Sequence, residues 1–127
     1  MGAPAIVMGD RVQGVCAIHQ VPTPAGNPTP GPPMPFSAPL LQGLCATVLI
    51  EGKAAAVLGA SGLNTPPHVG LHASDPYLAP PMQVGRVTSG SPTVTFGGQP
   101  AASATAAATC CLTPGTLVPS GATVLVG

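Results

Sequence analysis

"GSPTVTFGGQPAAS", residues 90–103, holds a four-residue alternation, Thr93 to Phe96, followed by Gly97-Gly98 and then Pro100-Ala101-Ala102. Alternation closed by a glycine pair reads as a short strand entering a tight turn. An earlier stretch, "TVLIEGKAAAV" (47–57), repeats the pattern. Thr47-Val48 aligns with Thr93-Val94, Gly52 with Gly98, Lys53 with Gln99, and Ala55-Ala56 with Ala101-Ala102. The final stretch "GATVLVG" (121–127) begins the unit a third time and stops at Gly127. A recurring unit of this kind organises the chain.

Between the repeats the chain is rich in turn signals. "PAIVMGDRVQGVCAI" (4–18) holds two apolar runs split by Gly9-Asp10. Residues 22–39, "PTPAGNPTPGPPMPFSAP", cannot form a helix or a central strand, because each proline lacks an amide donor and has a fixed φ. An extended, stiff Pro-rich loop is expected there. "LCATVLIEG" (44–52) is an apolar strand, with Glu51 a solvated turn charge, and a short second strand can follow it. Residues 68–83 read as irregular or as one helical turn. "VGRVTSGSPTVTFGG" (84–98) reads as a hairpin turning at Ser-Gly-Ser-Pro. "AASATAAATCCL" (101–112) has helical propensity, yet its Thr and Ser content favours strand and turn. Two small strands with a Pro-Ser-Gly turn close the sequence. Short strands with turns every 8–12 residues predict an all-β fold, and 127 residues predict a single domain, 1–127.

Composition narrows the function. Charged residues are 5% of the chain, against roughly 25% in an average soluble domain. Gly and Pro number 17 and 18, a level that without a collagen period suggests disorder. Disordered chains are poor in hydrophobics and rich in charge, whereas this chain is 45% hydrophobic with zero formal net charge. A turn-rich ordered protein with an apolar surface favours association, so work inside an assembly is expected. Three Lys and Arg residues make no basic footprint, which excludes nucleic acid as a partner. The N-terminus lacks a signal-peptide pattern, Ile6 stands where myristoylation needs Ser or Thr, and no apolar run approaches the ~18 residues of a membrane span.

Chemistry concentrates on three histidines, His19, His68 and His72, and four cysteines. His68 and His72 share the H-x-x-x-H spacing, which on a helix or a tight loop can grip one metal ion. The zinc-protease version needs Glu at the second position. Val69 stands there instead. Three His and one Cys would fill a tetrahedral zinc shell and leave no site for water, which is a structural arrangement. A single His is more often a surface or hydrogen-bonded residue than a ligand. A core this poor in aromatics has few other means of support, which raises the weight of metal. Asp10 and Asp75 sit in turn contexts where Asp bonds its own backbone. No spacing pairs the acids for catalysis, so no enzyme is expected. Adjacent Cys110 and Cys111 make a poor disulfide framework.

"AIVMGDRV", "GSPTVTFGGQPAAS" and "TVLIEGKAAAV" together resemble the PAAR-repeat family, named for Pro-Ala-Ala-Arg, over Ala5 to Gly127. Ser103 stands in the place of the motif's Arg, and the first copy reads Ala54-Ala55-Ala56-Val57. The resemblance implies the tip of a contractile injection machine, a type VI secretion system or a phage-tail-like particle. It implies a small cone of short strands whose base caps a trimeric β-helical spike protein, one tip per trimer. It also implies puncture of a target membrane, with effector cargo as a further partner. Such a protein is made in the cytoplasm without a signal peptide and leaves with the particle. The family holds a structural zinc ion by three His and one Cys, which implies His19, His68, His72 and Cys110, with Cys111 and Cys16 as alternatives for the thiolate. No fused effector domain is expected after Gly127. The competing readings are a secreted disulfide-linked β-module without metal, and a zinc hydrolase.

Overall fold

The computed structural model describes residues 2–121 and 124–126, and it is all-β. Among the described residues, fourteen short strands are β1 (Ala3–Pro4), β2 (Arg11–Cys16), β3 (Gln20–Pro22), β4 (Pro28–Pro30), β5 (Met34–Pro39), β6 (Cys45–Ile50), β7 (Lys53–Ala55), β8 (Ser61–Leu63), β9 (Val84–Val87), β10 (Thr95–Phe96), β11 (Gln99–Pro100), β12 (Ala108–Cys110), β13 (Thr113–Val118) and β14 (Leu125–Val126). Among the described residues a 3₁₀ turn, Pro80–Met82, matches the helical turn expected within 68–83.

Three equivalent segments build one end of the molecule. Residues 5–7, 55–57 and 101–103 pair in a closed circle through the bridges Val7 to Ala55, Val57 to Ala101, and Ser103 to Ala5. The middle residues complete the ring: Ile6 N–H donates to Ala102 O at 3.1 Å, Ala102 N–H to Ala56 O at 3.0 Å, and Ala56 N–H to Ile6 O at 2.8 Å. A second circle repeats this rule, with Met8 N–H on Ala54 O, Leu58 N–H on Pro100 O, and Ala104 N–H on Pro4 O. Each segment then leaves through the same turn, closed by Asp10 to Val7, Ala60 to Val57 and Ala106 to Ser103. A pseudo-threefold axis therefore runs through the fold. Its centre holds one branched side chain and two methyls, since Ile6, Ala56 and Ala102 are all fully buried in one cluster.

Hairpins enter the ring. Strands β6–β7 turn at Glu51-Gly52 and β10–β11 at Gly97-Gly98, with positive φ at both turn residues in each case, the hairpin geometry that suits a right-handed twist. The third hairpin is assembled from distant parts of the chain. Strand β14 pairs with β1, Ala3 opposite Val126 and Pro4 opposite Leu125, in the register of Lys53 opposite Ile50 and Gln99 opposite Phe96. The third copy begun at "GATVLVG" is thus completed by residues 3–4. Ala122, Thr123 and Gly127 of that copy lie outside the described residues.

Beyond the ring, each unit sends one strand out and one back: β2 with β5, β8 with β9, β12 with β13. They join in the order β5-β2-β13-β12-β9-β8. The edges β5 and β8 then meet, with Leu41 N–H on Ser61 O and Thr65 N–H on Ser37 O, both at 2.9 Å. Gly62 makes the closure possible, because a Cβ there would overlap the Pro39 carbonyl. Strand addition across the seam removes both open edges.

Two expectations need correction. Residues 84–98 are not a hairpin: β9 pairs with β8 and β12, while β10 pairs with β11. The Gly97-Gly98 turn supplies two residues at positive φ, a closer match to a two-residue hairpin than Ser-Gly-Ser-Pro. Within the Pro-rich stretch, β3 and β4 form a ribbon and β5 is a full partner of β2 over Arg11–Cys16. The prolines are tolerated because β5 has a full ladder with β2 alone, and the seam bonds to the β8 side run through Ser37, Leu41 and Gln42 and need no proline donor.

Candidate metal centre

The far ends of the six strands converge. Strand β2 runs from the ring side at Arg11 to Cys16, and Cys16 lies opposite Met34, the start of β5. Cys110 ends β12, opposite Gly85 of β9. The connections made at this end are residues 17–33, 64–83 and the tight turn Cys111-Leu112. Each unit thus delivers donors to one place. Cys16, His19, His68 and Cys111 are all buried, with one ligand atom from each lying within 4.8 Å of the others.

Hydrogen bonds orient the two imidazoles. His19 Nδ1 lies 3.0 Å from Asp75 Oδ2, and His68 Nε2 lies 2.9 Å from the Pro35 carbonyl. A carbonyl only accepts, so His68 Nε2 carries the hydrogen. Asp75 is ionised: burial works against the charge, but the Gln20 and Tyr77 amides and His19 outweigh it and hold the carboxyl below its usual range. His19 Nδ1 is therefore the donor to that carboxylate. The remaining nitrogens, His19 Nε2 and His68 Nδ1, then present lone pairs to each other at 2.9 Å. Two facing lone pairs repel, and a cation between them turns the repulsion into two bonds. In a tetrahedral site with Zn–N of about 2.0–2.1 Å, such nitrogens sit roughly 3.3 Å apart.

The thiols complete the donor set. Burial pushes the Cys16 thiol up, and the neighbouring Cys110 together with burial pushes Cys111 up, so both are neutral until a cation binds and releases their protons. Two thiolates would cancel the charge of a divalent ion and fill its shell with two imidazoles. The residues fit a closed, structural type of metal centre.

Cys111 is held in a costly backbone. It and Leu112 have φ of 52° and 59° in the two-residue turn between Cys110 and Thr113. Left-handed conformation costs roughly 1–2 kcal/mol per non-glycine residue. Such strain persists where the surroundings impose it, typically at functional positions. Leu112 is 80% exposed, so replacing it loses little contact. Leu112→Gly is expected to stabilise the metal-loaded protein by about 0.5–1 kcal/mol, after glycine's larger unfolded-chain entropy is subtracted. Denaturant titration of both proteins checks this, and a loss of stability would refute the strain.

Of the residues expected from sequence, His19 and His68 meet in the cluster. His72 does not join them. It is half-buried, its Nδ1 accepts from the Ser74 N–H at 3.0 Å, and its Nε2 sits 2.9 Å from Gly26 O, tying the β3–β4 turn to the 64–83 connection. Cys111 rather than Cys110 falls in the cluster, its Sγ lying within 4.8 Å of the Cys16, His19 and His68 donor atoms. Cys110 is buried beside it. Cys16, the C-x-x-H alternative, is the second thiol.

No protein-family model matches the chain, and no curated protein or solved structure is significantly similar to it.

Asp75 and Gln83 carry roles that no spacing revealed. Asp75 links Gln20 N, Tyr77 N and His19. The fully buried Gln83 bonds the backbone of His68 at both N and O, Asn64 and Tyr77 O, and thereby holds the His68 loop. The "SDP" context suggested only a local turn for Asp75. A carboxylate behind a ligand histidine typically contributes 10–100-fold in metal affinity. Asp75→Asn is expected to weaken zinc binding by about that factor, measured by competition with a chromophoric chelator, while the metal-loaded fold survives. Unchanged affinity would remove Asp75 from the site.

Proposed function

We propose that this chain is the tip of a contractile injection apparatus, seated on a trimeric β-helical spike and stabilised at its far end by a structural zinc ion. The observation that carries the reading is the closed ring of residues 5–7, 55–57 and 101–103. A pseudo-threefold axis within one chain matches the symmetry of a threefold object. Three chains of a homotrimer end in three identical strand edges, and one copy of this chain offers three near-identical hairpins to them. The ring end carries an apolar cluster: Val48, Val94 and Phe96 pack on Ala5, Val7, Ile50, Ala55, Ala101 and Val126, with Leu49 and Leu125 exposed beside them and the charges of Glu51 and Lys53 confined to the β6–β7 hairpin.

The opposite end is the leading end. Each cluster residue there has an exposed aliphatic neighbour: Val15 beside Cys16, Ile18 beside His19, Val69 beside His68 and Leu112 beside Cys111. An apex free of exposed charge at these positions suits passage through a target membrane, since a central charge in a bilayer costs a few kcal/mol. Four protein donors leave no open coordination position, and Asp75 is committed to His19, so the role is structural rather than catalytic. Cargo would travel with the particle, delivered outside the producing cell.

Native mass spectrometry with the spike trimer of the same source tests the stoichiometry. One tip per three spike chains is expected. Val94→Asp, which places a charge on the ring-end face, is expected to abolish the complex and leave the zinc content at one per chain. A one-to-one complex, or binding indifferent to Val94→Asp, would overturn the reading.

A further inference from the structure

Cys110 is a buried thiol that the metal centre does not use, and it stands against Cys111, which in turn stands against Cys16. Three reducing sulfurs therefore share one apex. Cys111 also lines a cavity of about 360 Å³ with Tyr77, Met82, Arg86, Thr109 and Leu112. A small reagent seated in the cavity lies against Cys111, although that residue is only 2% exposed. Arg86 is exposed on the rim, and its guanidinium has no hydrogen-bond or ion-pair partner among the described residues. It attracts an anionic reagent.

We infer that the metal centre is redox-gated: a small-molecule disulfide such as oxidised glutathione converts Cys16 and Cys111 from metal ligands into a disulfide and releases the ion. The Cys111 sulfur attacks one sulfur of the reagent, forming a mixed disulfide and expelling one thiolate of the reagent. Cys16 then attacks the Cys111 sulfur, closing the Cys16–Cys111 bond and expelling the second thiolate. Two protein thiolates lose two electrons in total, and one reagent disulfide gains them. His19 and His68 alone make too few bonds to retain the ion, which leaves as a free cation. Cys110 is nearer in sequence, but a bond between adjacent cysteines closes a strained ring, so Cys16 is the partner. The product ties β2 to the β12–β13 turn, so the apex exchanges a metal clamp for a covalent one. A tip carrying this device is metal-held in a reducing cytoplasm and cross-linked in an oxidising space.

The inference rests on the metal centre and not on the spike. In the test, zinc-loaded Cys45→Ser protein is incubated with oxidised glutathione, with metal release followed by a chromophoric chelator and thiols counted in parallel. Cys45 lies in β6, away from the cluster. Trypsin cuts after Arg11, Lys53 and Arg86, so the disulfide joins peptides 12–53 and 87–127, and fragment ions place it on Cys111. The expected result is one zinc released as two thiols disappear, with that link formed. Zinc retained with thiols intact, or release with no link between the two peptides, overturns the inference and leaves the metal centre standing. A link through Cys110 also overturns it. Cys45→Ser/Cys110→Ser is expected to keep both release and link. Reduced protein that never binds zinc brings down the metal centre itself, and this inference with it.

Discussion

His19→Ala is expected to abolish stoichiometric metal binding and to lower the unfolding midpoint by roughly 15 °C, while His72→Ala keeps one ion per chain. The two histidines differ in surroundings. His19 is 1% exposed, anchored by Asp75 and aimed at His68, whereas His72 bonds Ser74 and Gly26 at the surface. An ion present at a thousandfold excess over its Kd stabilises the folded state by about 4 kcal/mol. At about 4 °C per kcal/mol for a domain of this size, loss of the site gives the stated shift. Chelation of the unmodified protein should reproduce it. Binding should also strengthen as pH rises, because Cys16 and Cys111 are held above the usual thiol range and must each lose a proton to ligate. Elemental analysis and calorimetry of the two variants decide the matter. Metal lost from His72→Ala and kept in His19→Ala would mean the centre is assembled differently.

Ile6→Ala should destabilise the metal-loaded protein by about 2–4 kcal/mol, the range for a fully buried aliphatic truncation, and adding Ala56→Ile should restore most of it. Ile6, Ala56 and Ala102 hold equivalent places about the pseudo-threefold axis, each fully buried. The centre has volume for one branched side chain and two methyls, and the ring hydrogen bonds do not depend on which unit carries the larger one. Volume-conserving exchanges usually cost less than ~1.5 kcal/mol. Ala56→Ile alone should be destabilising through overpacking. Denaturant midpoints of the four proteins form a double-mutant cycle. Strictly additive losses would show that the three places are not interchangeable, and the threefold equivalence would fail.

The readable part of the fold lay in local chemistry. Gly97-Gly98 and Glu51-Gly52 turn at positive φ because short two-residue hairpins demand it, and the alternation before each marks the paired strand. Gly9-Asp10 turns where expected, with the Asp10 carboxylate accepting from Val7 N–H. Two repeats and the all-β class follow from residues close in sequence, and the histidines and cysteines available as donors are countable there. His19, His68 and His72 stood out alike, because a chain of 5% charge keeps few polar residues without reason.

What required three dimensions was every relation between distant segments. "TVLVG" reads as a unit cut short, yet β1 completes it, because strand pairing depends on which edges meet in space and is indifferent to chain order. The 84–98 stretch carries a plausible turn, but β9 finds better partners in β8 and β12 once the six strands close on themselves. The ligand set followed the same rule. H-x-x-x-H spacing pairs His68 with His72 only if that loop is helical. In the folded chain, Gln83 fixes His68 inward while the Gly26 carbonyl holds His72 outward. Cys110 and Cys111 differ by one residue, and the choice between them belongs to a left-handed turn. By itself the sequence determined the elements, the repeat and the donors available. The closed sheet determined which donors converge, because convergence of groups as far apart as Cys16 and Cys111 is a property of packing and not of spacing.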